Sequence, residues 1–203
     1  MVTIDFLITS LVVVLIPGTG VLYTVSTGLA QGRRASVFAA LGCTAGILPH
    51  LIATILGLAA VMHTSALAFQ LLKYAGVAYL FYLAYATWHD TSTFQVDACV
   101  TRASATSLAV KGILINILNP KLTIFFLAFL PQFVNAKVDQ PLPQLLLLSG
   151  VFMAMTFVVF VIYGCIAHGF RAAVIESPSV QRWLRHGFAS AFAALGARLA
   201  VDR

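Results

Sequence analysis

Charged side chains are scarce in this sequence, in which twelve lysines and arginines and six aspartates and glutamates make up 9% of 203 residues. Soluble domains carry about 25% charged residues, because they need a polar surface. Hydrophobic residues reach 61%, and the segments 6–32, 35–72 and 140–170 contain no charged residue at all. About 20 helical residues cross the hydrocarbon core of a bilayer. The sequence therefore predicts an all-α, multi-pass integral membrane protein surrounded by lipid.

Metal-binding and catalytic motifs are missing as well. The three cysteines, Cys43, Cys99 and Cys165, are too far apart for a metal-binding pair and too few for a disulfide framework. No HExxH or GxSxG motif occurs, which argues against a membrane metalloprotease and a serine hydrolase. The basic residues form no stripe of the kind that binds nucleic acid. We therefore predict a protein that is not an enzyme, needs no metal or cofactor and binds no nucleic acid.

Six membrane spans can be placed in a single polytopic domain that covers residues 1–203. They extend over about residues 6–30, 37–61, 68–88, 108–134, 145–167 and 183–201. A polar loop at about residues 89–107 separates a first repeat, about residues 1–90, from a second, about residues 108–203. Proline interrupts the first and fourth spans near their middles, at Pro17-Gly18 and at Asn119-Pro120.

The two interrupted spans favour a transporter. The fourth span follows the first after three membrane crossings, and an odd number of crossings inverts the topology of a repeated unit. This pattern predicts two inverted three-helix repeats, each opening with a broken helix. Paired interruptions in corresponding segments indicate where a transporter binds its substrate. The alternative is that the prolines only kink their helices, which membrane proteins tolerate.

The residues at the two breaks are the candidate binding site. The start of a half-helix carries partial positive charge that suits a carboxylate. The residues predicted to bind substrate are Pro17, Gly18, Thr19, Gly20, Asn116, Asn119, Pro120 and Lys121. Because no acidic residue lies deep in a span, Lys121 is expected to contact water or a substrate carboxylate. In the alternative, an asparagine or Lys121 caps the broken helix, or Lys121 extends outward to the interface.

His50, within the second span, is a candidate proton relay because imidazole changes its charge near neutral pH. A hydrogen-bonded core histidine is the equally good alternative. The pairs Gly28/Gly32 and Gly42/Gly46 have the four-residue spacing that allows helices to approach closely. We interpret both pairs as packing contacts.

With these residues in place, the chain resembles the LysE-type amino-acid exporter superfamily, in its homoserine/threonine exporter branch. The similarity lies in the motifs at Pro17-Gly18, at residues 31–35, at residues 72–80, at residues 112–121 and at residues 129–134. Two positions depart from the family pattern. Thr19-Gly20 stands where members usually have proline followed by Asn or Asp, and Ile47 stands where many have an acidic residue.

The resemblance implies a transporter of the bacterial inner membrane, driven by the proton motive force. Its substrates would be amino acids or closely related small solutes, which it would export. Two alternatives remain open: an exporter of a solute that is not an amino acid, and a non-transporting membrane scaffold or partner subunit. The oligomeric state is open too, with a homo-oligomer among the possibilities.

Overall fold

The computed structural model of the chain describes residues 2–16, 18–64, 66–89, 103–134, 141–167 and 177–201. Within these ranges all regular structure is helical, as predicted. Two stretches, Arg33–Gly57 and Leu142–Cys165, are long and apolar enough to cross a membrane. The number of spans rises to four if each of two bent helix pairs counts as one. The count of six spans and the inverted repeat stay predictions.

The first predicted span is two helices. α1 comprises Ile4–Leu15, and α2 comprises Thr19–Gln31, bent by 54° from α1. The Thr3 hydroxyl caps α1 by accepting a bond from the Phe6 amide at 3.2 Å. α1 ends because Ile16, the residue before a proline, is extended (ψ 118°), the conformation that a following proline favours. The predicted break is therefore present, although Pro17 itself lies outside the described residues.

The remaining helices of the first half are α3 (Arg33–Ala45), α4 (Leu48–Thr64) and α5 (Ala66–His89). The sequence predicted a second span at about residues 37–61, and the helix there is interrupted at residues 46–47. Pro49 explains the interruption, because it has no N–H to bond the carbonyl four residues earlier. It is the second residue of α4, where the missing donor is tolerated.

The second half repeats the broken arrangement. α6 comprises Ala105–Ile117 and the short helix α7 comprises Pro120–Ile124, and the chain bends by 62° between them. A π-helical turn at Phe125–Phe129 and a 3₁₀ turn at Leu130–Phe133 continue α7. The break was predicted, whereas the two irregular turns were not. α8 (Leu142–Cys165) and α9 (Pro178–Val201) complete the described chain, and α9 packs extensively against α5.

Glycines allow close backbone contacts at three points, two where the end of α3 meets α6 and one where α2 meets α8. A Cβ on Gly42 of α3 would collide with the carbonyl oxygen of Ala109 on α6. A Cβ on Gly46 would lie 2.7 Å from the Ile113 oxygen, and one on Gly28 would lie 2.6 Å from the Gly164 oxygen. These contacts confirm the packing roles predicted for Gly28, Gly42 and Gly46. The same prediction was wrong for Gly32, because a Cβ at this position would meet no other part of the chain within 4 Å.

Gly32 has a different role, because its φ of 87° and ψ of 174° fall in a region that is essentially restricted to glycine. It ends α2 through a bond from its amide to the Gly28 oxygen, and its own oxygen starts α3. The tight connection between the two helices therefore depends on this residue.

Replacing Gly32 by alanine should lower the free energy of unfolding by about 1–3 kcal/mol, because alanine is strained at this φ and ψ. Gly57→Ala is the matched control, since Gly57 lies within α4 and a Cβ added there would meet no other part of the chain within 4 Å. Alanine there should be neutral or slightly stabilising. Thermal unfolding of the purified protein in detergent measures both variants, and an equal melting temperature for the two would contradict the assignment.

Candidate functional site

Lys121 joins the two breaks. Its Nζ donates hydrogen bonds to the carbonyl oxygens of Val13 at 3.0 Å and of Ile16 at 3.1 Å. These carbonyls belong to the last turn of α1, where they have no partner within the helix. A cation is favourable there because the end of a helix carries partial negative charge. Lys121 therefore contacts backbone carbonyls at the end of α1. Its contact with water or a substrate carboxylate stays a prediction.

Tyr163 of α8 adds a second cap to α1. Its hydroxyl donates to the Leu15 oxygen at 3.0 Å, so side chains from two other helices bind the end of α1. The start of α2 differs, because no side chain caps Gly18 there. The first amides of a helix have no partners within it and carry the partial positive end of the dipole.

Two buried asparagines organise the second break. Asn119 begins α7 by accepting a bond from the Lys121 amide on its Oδ1 at 3.1 Å. Asn116 is 1% exposed, and its Nδ2 donates to the Cys43 oxygen of α3. The Asn119 Nδ2 donates to the Asn116 Oδ1 at 3.5 Å. These bonds fix the direction of α7, and therefore the position of Lys121.

His50 of α4 contacts the same break from the other side. Its Nε2 lies 2.9 Å from the carbonyl oxygen of Asn116, and its Nδ1 lies 3.3 Å from the Thr123 hydroxyl. Because a carbonyl only accepts, Nε2 carries a hydrogen and donates it. The ring is 7% exposed and stacks near Phe126, with 6.5 Å between ring centroids.

A small cavity lies between the two breaks. The space open to the centre of a water molecule is about 20 Å³, which is enough for about one water. Apolar walls and a few polar groups enclose it. Its lining residues are Val13, Val14, Gly18, Gly20, Val21, Asn116, Asn119, Lys121, Leu122, Phe152, Thr156 and Phe160.

Five of the predicted site residues therefore line one cavity: Gly18, Gly20, Asn116, Asn119 and Lys121. Thr19 is not among the lining residues, and His50 reaches the site only through Asn116 and Thr123. Pro17 and the side chain of Pro120 lie outside the part of the chain that the structure describes.

The glycines give the cavity its space. A Cβ on Gly20 would lie 2.8 Å from the Asn116 Oδ1 and 2.9 Å from the Phe160 ring. One on Gly18 would lie 3.3 Å from the Lys121 Nζ. The lysine ammonium therefore lies directly beside the start of α2, while it bonds the end of α1. An anion at this point could interact with the ammonium and with the free amides of α2 together.

Several residues in and around the site were not predicted. Phe152, Thr156 and Phe160 line the cavity. Thr123 and Tyr163 are not among the lining residues and bind the helix breaks beside it. Thr123 lies four residues after Asn119, one helical turn away, and this spacing was the available signal. Thr156 is a polar residue in the long apolar helix α8, which was a second signal.

Two broken helices that meet at a cavity with a few polar groups are typical of one class of membrane protein, the secondary transporters. The sequence matches the family described as LysE type translocator over residues 11–203. The chain belongs to this family, whose members are transporters and not enzymes.

Individual relatives extend the match over nearly the whole chain. A protein of Vibrio cholerae described as an uncharacterized membrane protein is 33% identical, over 98% of this chain and 96% of its own. The homoserine/homoserine lactone efflux protein of Salmonella typhimurium is 32% identical, over 98% of this chain and 95% of its own. The leucine efflux protein of Klebsiella pneumoniae is 26% identical, over 68% of this chain and 66% of its own. No solved structure matches the chain.

Proposed function

We propose that this protein exports amino acids, or closely related small solutes, across the bacterial inner membrane, driven by the proton motive force. Its relatives include proteins named for the efflux of homoserine, homoserine lactone and leucine. The chain folds as a multi-pass protein with six spans in two inverted repeats, residues 1–90 and 108–203. The first and fourth spans are the sharply bent ones, with bends of 54° and 62°.

One observation carries this proposal, the contact of Lys121 with both parts of the first broken helix. Its ammonium bonds the end of α1 and lies beside Gly18, at the uncapped start of α2. A substrate carboxylate placed there gains a charge-assisted hydrogen bond from Lys121 and further bonds from the α2 amides. The polar amides of Asn116 and Asn119, which also line the cavity, then orient the rest of the solute.

The small size of the cavity supports alternating access. Room for about one water is too little for homoserine or leucine, so substrate entry requires the walls to move. α7 has only five residues, and a π-helical turn follows it. Such turns are frequent at functional sites. We therefore expect α7, which carries Lys121, to move when the substrate enters.

Efflux from intact bacteria tests the proposal. Cells that express the protein are loaded with dipeptides of leucine or homoserine, and the free amino acid is followed into the medium. Wild type should export at least one of these amino acids faster than the empty vector does. Gly20→Val, at equal membrane abundance, should reduce that efflux at least about fivefold, because overpacking costs about 1–3 kcal/mol.

Gly150→Val is the matched control, because Gly150 has open space around it and lies away from the cavity. It should export as wild type does. If no amino acid leaves faster than from vector cells, the proposal is wrong. Efflux of another solute would then favour an exporter of a different cargo, and no efflux of any solute would favour a scaffold or partner subunit.

A further inference from the structure

Thr123 stands between a titratable ring and the break in the second helix pair. Its hydroxyl oxygen lies 3.3 Å from the Nδ1 of His50 and 3.3 Å from the carbonyl oxygen of Asn119. A hydroxyl has a single hydrogen, so it can donate to only one of these two acceptors at a time. The protonation of Nδ1 determines which of the two acceptors receives the hydroxyl hydrogen.

The two protonation states of His50 give two complete hydrogen-bond arrangements. In both, Nε2–H donates to the Asn116 oxygen. In the neutral ring Nδ1 is an acceptor, so the Thr123 hydroxyl donates to it and leaves the Asn119 oxygen. When a proton from water forms the Nδ1–H bond, that group donates to the Thr123 oxygen instead. The hydroxyl then donates to the Asn119 oxygen, and the site gains one positive charge.

We propose that Thr123 is the positioning residue that couples protonation of His50 to the break between α6 and α7. This inference rests on the proposed function, because it names the residue through which a proton acts on the amino-acid site. Protonation acts on the hydrogen bonds of the Asn119 carbonyl. Its oxygen accepts the Leu122 and Thr123 amides that begin α7. A third bond from the hydroxyl strengthens this first turn, so protonation stabilises the orientation of α7 that places Lys121 against α1.

Thr123 supplies the side-chain hydroxyl that contacts the His50 ring. The ring also contacts the Asn116 carbonyl and the Phe126 ring. Several charged or titratable side chains are described on the elements around α4. They are Lys111 on α6, Lys121 on α7, Tyr74, Tyr82, Tyr85 and His89 on α5, and Tyr163 and Cys165 on α8.

Transport by the purified protein in lipid vesicles tests the coupling. Two rates are measured with leucine and homoserine: exchange of labelled for unlabelled amino acid at equal pH on both sides, and net transport driven by a pH difference. Exchange is also followed from about pH 5 to pH 8, the range in which imidazole titrates. Thr123→Val removes the hydroxyl and keeps the shape, whereas Thr123→Ser keeps the hydroxyl.

Thr44→Val is the matched control, because the Thr44 hydroxyl bonds only the Ala40 oxygen within α3. For Thr123→Val, the stimulation by the pH difference should fall about threefold or more, while exchange changes less than about twofold, as expected from losing one neutral hydrogen bond. The pH dependence of exchange should flatten as well. Thr123→Ser and Thr44→Val should keep the wild-type stimulation and pH profile.

Three results would overturn the role of Thr123: full stimulation in Thr123→Val, an equal loss of exchange and of stimulation, or no recovery in Thr123→Ser. A failure of the proposed function looks different, since it already shows in the wild type. Wild-type exchange without any stimulation of net transport by the pH difference would refute proton coupling, and the inference with it. Absence of any wild-type exchange would refute amino-acid transport itself.

Discussion

Replacing Lys121 by methionine should reduce amino-acid efflux at least about tenfold, because a hydrogen bond to a charged group contributes about 1.5–3 kcal/mol. Methionine keeps the length and apolar volume of the side chain but removes the ammonium. Lys111→Met is the matched control: Lys111 lies exposed on α6, with its Nζ 5.6 Å from the centre of the Tyr23 ring. Its loss should change efflux by less than about twofold.

The same substitution should also lower stability, because it leaves the carbonyls of Val13 and Ile16 without their partner. An unsatisfied buried acceptor costs about 1–3 kcal/mol, unless water replaces the lost bond. Efflux must therefore be divided by the amount of folded protein in the membrane, measured by size-exclusion chromatography in detergent. Equal efflux per folded molecule in wild type and Lys121→Met would remove Lys121 from the site and leave it as a helix cap.

Both helix breaks could be predicted from the sequence because their causes are local. A proline disfavours the helical conformation of the residue before it, and Ile16 and Asn119 are both extended in the structure. The asparagine pair was predictable for a similar reason, since residues three apart on a helix lie on one face. The close approach at Gly42 and Gly46 also follows from a short spacing.

The partners of the site residues could not be predicted, because they are distant in sequence. Lys121 bonds carbonyls that are 108 and 105 residues away, and His50 bonds a carbonyl that is 66 residues away. Every residue has a backbone carbonyl, so the sequence does not indicate which carbonyls bind Lys121. The prediction considered only acidic side chains as partners within the protein. The composition of the apolar segments likewise does not show which helix faces which, and only the packed structure places Phe160 and Thr156 at the cavity.

Replacing Gly42 by valine should greatly reduce the amount of folded protein, because it forces apart the two halves of the molecule. The crossing of α3 and α6 is among the most extensive helix contacts, and it joins the first half to the second. A Cβ on Gly42 would collide with the Ala109 oxygen and lie 2.7 Å from the Ala109 Cα. These are backbone atoms, which cannot rotate away as a side chain can.

The opposite side of the crossing is equally tight, since a Cβ on Gly112 would lie 2.8 Å from the Ala39 oxygen. Overpacking lowers the free energy of unfolding by about 1–3 kcal/mol where side chains can adjust. Because the atoms around Gly42 belong to the rigid backbone, we expect Gly42→Val to lie at the upper end of this range. A loss of that size lowers cellular abundance several-fold. Gly150→Val, on the open face of α8, should keep wild-type abundance in quantitative immunoblots of membranes. Wild-type abundance and melting temperature for Gly42→Val would show that the two helices do not cross at this glycine.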